Sequence, residues 1–328
     1  YRLFFNQSFL WRFFSVRFFS LICQLVTIWL VYLMAIKLTK KPWLGLASAA
    51  GVSFHPGFSF IAGGVSYEAL GILIATAFIY LVTIKAKTRW LLIAGTIGIL
   101  IKPDLIFLLL LMPFLLPKKL KWLAFLGLIG VFIGLVLILP LVNQEIRIKS
   151  SWLDRFLYTL PLKDYSVYAD NLWQTIISRQ LLVKTKEYLN IFFTVHWHQI
   201  FAWYWGVFGW LEKTLPLTVY PVLKIATIFS VIGLLKVWRR VKFFVLVVFL
   251  QALIVIANDW LIFVTTGQIY GIQGRYFLPA IGPQIILMVF GLFNLWPKSQ
   301  KLFSLILIGL SFGLNLIGLN SLYQYFGF

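Results

Sequence analysis

The stretch Trp90-Leu-Leu-Ile-Ala-Gly-Thr-Ile-Gly-Ile-Leu-Ile-Lys102-Pro103-Asp104-Leu-Ile-Phe-Leu-Leu-Leu-Leu-Met-Pro-Phe-Leu-Leu116 decides how the chain folds. Two apolar pieces of about a dozen residues meet at its centre, each short of the roughly 20 residues that cross a bilayer. Proline removes a backbone donor and disfavours helix in the residue before it, so the helix should stop at Lys102. In lipid, such a break is tolerated only where it faces protein or a water-filled cavity. Residues 90–116 therefore read as two half-spans forming a re-entrant hairpin with a polar elbow at depth.

The rest of the chain supports a membrane setting. Of 328 residues, 61% are hydrophobic and 12% charged, about half the charge of a soluble domain, whose surface must face water. Disorder and a disulfide scaffold are excluded by the long apolar runs and the single Cys23. Runs at 16–38, 43–62, 122–142, 215–235, 243–263, 276–295 and 302–322, with a shorter one at 69–84, predict an all-α polytopic bundle of about eight spans besides the hairpin. Clusters at Lys37, Lys40 and Lys41, at Lys85, Lys87 and Arg89, at Lys118, Lys119 and Lys121, at Lys236, Arg239, Arg240 and Lys242, and at Lys298 and Lys301 contain no acid. They fall on one face, the cytoplasm, only if the half-spans enter and leave on the same side. The opposite loops then hold seven of the nine acids. The formal charge of +20 is thus topological, and nucleic-acid binding is not expected.

Three parts follow: a membrane part at 1–142, an extracytoplasmic loop at 143–214, and a four-span part at 215–328. Helical spacing at 169–193 and the run of Trp and Tyr from Trp197 to Trp210 predict a helical, interfacial outer segment. Residues 1–19, with arginines among Phe and Trp, read the same way. The chain opens at Tyr1 without a cleavage pattern and is read as a fragment whose first span lies upstream.

Lys102 at depth costs about 2.5–3.5 kcal/mol on insertion scales and needs compensation. An ion pair with Asp104 is one answer, an anionic headgroup another. Arg275 at the mouth of a span either offers its planar fork to phosphate oxygens or snorkels to lipid. Glu68 either favours a helix dipole or acts as base or metal ligand. His55, before Pro56, is a hydrogen-bonding group or a catalytic one. His196 and His198 lack a neighbouring carboxylate, so no metal site is expected from them. No P-loop or hydrolase elbow occurs.

Three stretches in order carry a resemblance: Phe54-His-Pro-Gly-Phe-Ser-Phe-Ile-Ala-Gly-Gly-Val-Ser-Tyr-Glu-Ala-Leu70, Trp205-Gly-Val-Phe-Gly-Trp-Leu-Glu-Lys-Thr-Leu-Pro216, and Gly271-Ile-Gln-Gly-Arg-Tyr-Phe-Leu-Pro279. With the Lys102-Pro103 break between the first two, the chain resembles, over nearly its whole length, a bacterial membrane family of the GT-C glycosyltransferase superfamily. That family is long catalogued as a domain of unknown function and is related to polyprenyl- and dolichyl-phosphate-sugar mannosyltransferase-like proteins. The resemblance implies a multi-span bundle, extracytoplasmic loops and a polyprenyl-phosphate-linked sugar as donor. Glu68 falls where the pattern usually has an Asn-Asp pair, with Tyr67 in place of the Asn. Lys102 and Arg275 fall where basic groups lie near the lipid phosphate, and Tyr276 and Gln273 would line the same opening. The acid taken as base in such enzymes lies in the first outer loop, which is expected upstream of this chain.

The expected activity is an inverting sugar transfer to a glycan or protein acceptor on the extracytoplasmic face of a bacterial inner membrane. Lys102, Arg275 and Tyr276 would hold the donor phosphate, and Glu68 would assist acceptor or metal. His55, Asp104, Trp205, Trp210 and Gln273 would line the cavity, and the aromatic stretch at 203–210 would shape the entry of the lipid tail. No cofactor is assigned, and a divalent metal stays open. The rival is a transporter, flippase or binding protein for an anionic lipid or lipid-linked glycan, using the same broken helix without transfer chemistry.

Overall fold

The computed structural model describes residues 9–115 except 65, and residues 175–327 except 177, 179, 210, 270, 271, 297 and 298. The expected span at 122–142 and Trp210 lie outside the described residues. The N-terminal part runs through α1 (Phe9–Thr39), α2 (Pro42–Ser53), α3 (Pro56–Gly63), α4 (Glu68–Thr83), α5 (Thr88–Ile101), a 3-10 turn (Pro103–Ile106), α6 (Phe107–Leu110) and α7 (Met112–Leu115). Then come α8 (Leu181–Ile191), a π-helical turn (Phe192–His196) and α9 (Trp197–Trp205). A two-residue antiparallel ladder follows, β1 (Val207–Phe208) with β2 (Lys213–Thr214). The remainder comprises α10 (Val219–Leu235), α11 (Trp238–Thr266), a 3-10 turn (Gly274–Ala280), α12 (Ile281–Leu295) and α13 (Gln300–Phe326).

This is an all-α polytopic membrane protein. Phe13–Thr39, Trp238–Thr266, Gly274–Leu295 and Gln300–Phe326 are each long and apolar enough to cross a bilayer. Shorter apolar helices cover Glu68–Thr83, Thr88–Ile101, Asp104–Leu115 and Val219–Leu235. Two expectations change. The run at 43–62 is not one rod: α2 and α3 meet at a 60° bend, because Pro56 cannot donate and holds His55 extended (φ −68°, ψ 117°). The opening arginine-bearing stretch, from Phe9 onward, is not a separate element either. It continues unbroken into the first span, since no Gly or Pro interrupts residues 9–39.

The helix of the central stretch does stop at Lys102, which is extended (φ −150°, ψ 114°). Its backbone stays satisfied: the Lys102 N–H donates to the Gly98 carbonyl and the Lys102 carbonyl accepts from Leu105 N, each at 2.9 Å. Beyond the break the chain folds back along α5, where Gly95 faces Leu109 and Gly98 faces Leu105 and Leu108. Both glycines would overlap or crowd these leucines if they carried a Cβ.

Two compact units are present. The first comprises Tyr1–Leu109, Gln199–Ala252 and Gln273–Phe328. Because lipid tails are as apolar as leucine, its helices associate by close approach at small residues. Gly45 meets Ile36 and Tyr32 of α1, Gly282 meets Val31 and Met34, and Gly233 of α10 lies on the Gly291 carbonyl of α12. Asn315 of α13 donates to Ser59 Oγ of α3 at 2.9 Å. The second unit comprises Leu110–His198 and Leu253–Ile272. There α8 docks on the end of α11: Tyr188 donates to Asp259 Oδ2 at 3.0 Å, Trp260 Nε1 to Thr185 at 3.1 Å, and Lys184 Nζ to the Val264 carbonyl at 2.8 Å. Burial, and then the Asp259 carboxylate, push the Tyr188 phenol up, so it stays a donor.

Candidate functional site

Lys102 is the centre of the site. The break leaves its side chain free of the helical ladder, and Nζ reaches Glu68 Oε2 at 2.7 Å, both groups buried. Glu68 opens α4, where its backbone N–H donates to Ser66 Oγ at 3.1 Å, and Gly71, one turn on, lies against the Lys102 stem. Asp104 is the weaker partner, at 3.6 Å and 29% exposed. The nearer counter-ion is thus not the acid two residues on but one 34 residues back. A short extended turn directs a side chain away from its own chain neighbours.

The opposite wall is the 3-10 turn Gly274–Ala280. The Tyr276 ring centroid lies 5.1 Å from Lys102 Nζ and 5.7 Å from the exposed Arg275 guanidinium. Both cations lie within the roughly 6 Å at which a ring's quadrupole attracts charge. This places Lys102 and Arg275, 173 positions apart in sequence by subtraction of their numbers, around one aromatic ring. Gln251, fully buried in α11, donates Nε2 to the Tyr276 carbonyl at 2.6 Å and holds the turn in place. Gln273 begins the turn, its carbonyl accepting from Tyr276 N at 3.0 Å.

The turn is also pinned from behind. Gly274 sits on the Trp203–Tyr204 backbone of α9, where a Cβ would overlap main-chain atoms. Tyr204 donates to Gln284 Oε1 at 2.6 Å, and Gln284 Nε2 donates to the Phe277 carbonyl at 3.2 Å. Burial pushes the Tyr204 phenol up, which keeps it protonated for that bond. His55 stacks on Trp205 with centroids 5.0 Å apart and meets Tyr204 edge-on at 4.9 Å. Its Nδ1 accepts from Phe58 N at 3.3 Å, capping α3. His55, Trp205, Gln273, Arg275, Tyr276, Lys102, Glu68 and Asp104 therefore form one connected set of contacts in the first unit.

Sequence reasoning missed Gln251 and the Tyr204–Gln284 pair. An amide in the middle of a 29-residue apolar helix was the available signal. Among the described residues, no group of three or more His, Cys, Asp or Glu could hold a metal ion. An open apolar groove of about 560 Å³, bordered by Trp11, Phe14, Arg17 and Gly63, contains none of the site residues.

The arrangement offers two cations within 6 Å of one aromatic ring centre, one of them paired with a carboxylate. Such a set suits an anionic ester whose charge grows during reaction. Residues 4–143 match the family described as dolichyl-phosphate-mannose-protein mannosyltransferase. That family is of the GT-C-like membrane glycosyltransferase kind, and the matched segment is 140 of the chain's 328 residues, less than half. Glu68, Lys102 and Asp104 lie inside the matched residues; Gln273, Arg275 and Tyr276 lie beyond them. No curated protein and no solved structure matches the chain.

Proposed function

We propose that this GT-C-like protein transfers a sugar from a polyprenyl-phosphate donor to a cell-envelope acceptor at the extracytoplasmic face of a bacterial inner membrane. The observation that supports the reading best is the convergence of Lys102 and Arg275 on Tyr276, with Glu68 on Lys102. An acceptor hydroxyl attacks the anomeric carbon, the bond from that carbon to the phosphate oxygen breaks, and polyprenyl phosphate leaves with the electron pair. Lys102 and Arg275 stabilise the negative charge that builds on the phosphate. The phosphate competes with Glu68 for the Lys102 ammonium, which turns the carboxylate toward the acceptor. Asp104, Gln273, His55 and Trp205 line the cavity, and the aromatic stretch of α9 borders the entry of the lipid tail. A general base takes the hydroxyl proton.

The test is transfer from a polyprenyl-phosphoryl sugar in liposomes. Lys102→Met and Arg275→Met should each lower turnover by about 10²-fold, the loss typical of one charge-stabilising donor. Turnover equal to wild type in both would remove the phosphate role. Lipid moved across the bilayer with no glycosidic product would identify a transporter instead. A cysteine placed at Tyr67 should react with an impermeant thiol reagent from outside, and one at Lys85 only from inside. Reaction of both from one side would refute the active face.

A further inference from the structure

Gln251 raises a question that its bond to Tyr276 does not answer. Leucine would suit the interior of α11, yet an amide with no exposure stands there. Its Nε2 is occupied by the Tyr276 carbonyl, while its Oε1 is buried and has no donor among the described residues. A second buried acceptor without a donor, Gln273 Oε1, belongs to the turn that Gln251 holds. Two acceptor oxygens cannot satisfy one another, and a buried polar atom left unpaired is costly, so each has capacity for an O–H or N–H donor that no described residue supplies. The same turn carries Arg275 and Tyr276 beside Lys102. A ligand that suits all of these groups joins an anion to hydroxyls.

We propose that Gln251 and Gln273 form a hydroxyl-reading subsite beside the Lys102–Arg275 pair, accepting hydrogen bonds from the sugar of a phosphate-linked donor. The proposal rests on the function proposed above and deepens it: the cations bind the phosphate, and the two amides discriminate what is attached to it. A site that hydrogen-bonds a hydroxyl rejects analogues lacking that hydroxyl, because its own groups are left unpaired.

The experiment measures binding of two probes to the full chain in nanodiscs: a polyprenyl phosphate, and a panel of polyprenyl-phosphoryl hexoses and pentoses. Wild type should bind at least one sugar-bearing lipid more tightly than the bare phosphate. Gln273→Leu should weaken that lipid by about tenfold, the loss of one buried hydrogen bond, while binding of the bare phosphate stays within about twofold; Gln251→Leu, which also frees the Tyr276 turn, should weaken both probes, the sugar-bearing lipid by more. Equal weakening of both probes by Gln251→Leu would reduce Gln251 to a brace for the turn and overturn the subsite. So would unchanged binding of every sugar-bearing lipid by both variants. If Gln251→Leu does not fold, Gln273→Leu decides alone, since its side chain braces no described group. Wild-type protein that binds neither probe would overturn the proposed function, and this inference with it.

Discussion

Two prolines interrupt apolar stretches in the first unit, and each is preceded by a buried polar residue: His55 before Pro56, and Lys102 before Pro103. The backbone events are alike. In both, the helix stops short of the proline, at Ser53 and at Ile101, and the residue before proline is extended. The side chains differ. His55 turns back on its own next turn, where Nδ1 caps α3 through Phe58 N. Lys102 has no cap to make, and its charge is met by Glu68 from α4 and by the Tyr276 ring. The first break is capped by a local contact, with the His55 ring also stacked on Trp205 of α9; the second gathers a carboxylate and an aromatic ring from distant elements around an ammonium. At these two prolines the chain bends, and the chemistry of the residue before each determines what the bend gathers.

The difference can be broken at its strongest point. Glu68→Leu leaves the buried Lys102 with Asp104 alone and should cost about 3–5 kcal/mol, whereas Glu68→Leu with Lys102→Leu should recover most of that loss. Thermal unfolding in detergent measures both, and a double variant as unstable as the single one would show that the pair does not carry the cost. Gly274→Ala tests the far wall. The new Cβ overlaps the Trp203–Tyr204 backbone, and such overpacking typically costs about 1–3 kcal/mol. The lost melting temperature should be accompanied by weaker polyprenyl-phosphate binding. Unchanged stability would mean that the turn can shift off α9. At the first break the cap is the smallest of these effects: His55→Ala should lose about 0.5–2 kcal/mol with the cap, besides the stack on Trp205, and His55→Asn should restore the cap alone. If His55→Ala were as damaging as Glu68→Leu, the two breaks would not differ in the way described.

Much of the fold was legible because lipid imposes simple rules. Long apolar runs gave the helices α1, α11 and α13, and the stop at Lys102 followed from Pro103 alone. The bend at His55 was missed although Pro56 carries the same signal, because the run at 43–62 has the right length for one span and length outweighed the proline. At the site, Lys102, Glu68 and Arg275 could each be singled out as polar groups in apolar surroundings. Their pairing could not. Which acid answers Lys102 depends on how α4 packs against the hairpin, and sequence proximity favoured Asp104 over Glu68. Gln251 was overlooked because a single neutral amide barely changes the hydropathy of a long helix, while its importance comes entirely from facing the Tyr276 carbonyl.

The way the break at Lys102 satisfies its own main chain has a consequence for variation. Gly98 and Leu105 take up the two peptide groups at position 102, so the turn does not depend on which head the residue carries. Scaffold and reagent are separable there: the ammonium can be exchanged, shortened or neutralised while the elbow that presents it persists, provided Glu68 is altered in step. Under the proposed function, position 102 is thus a natural dial for retuning which headgroup charge the protein accepts.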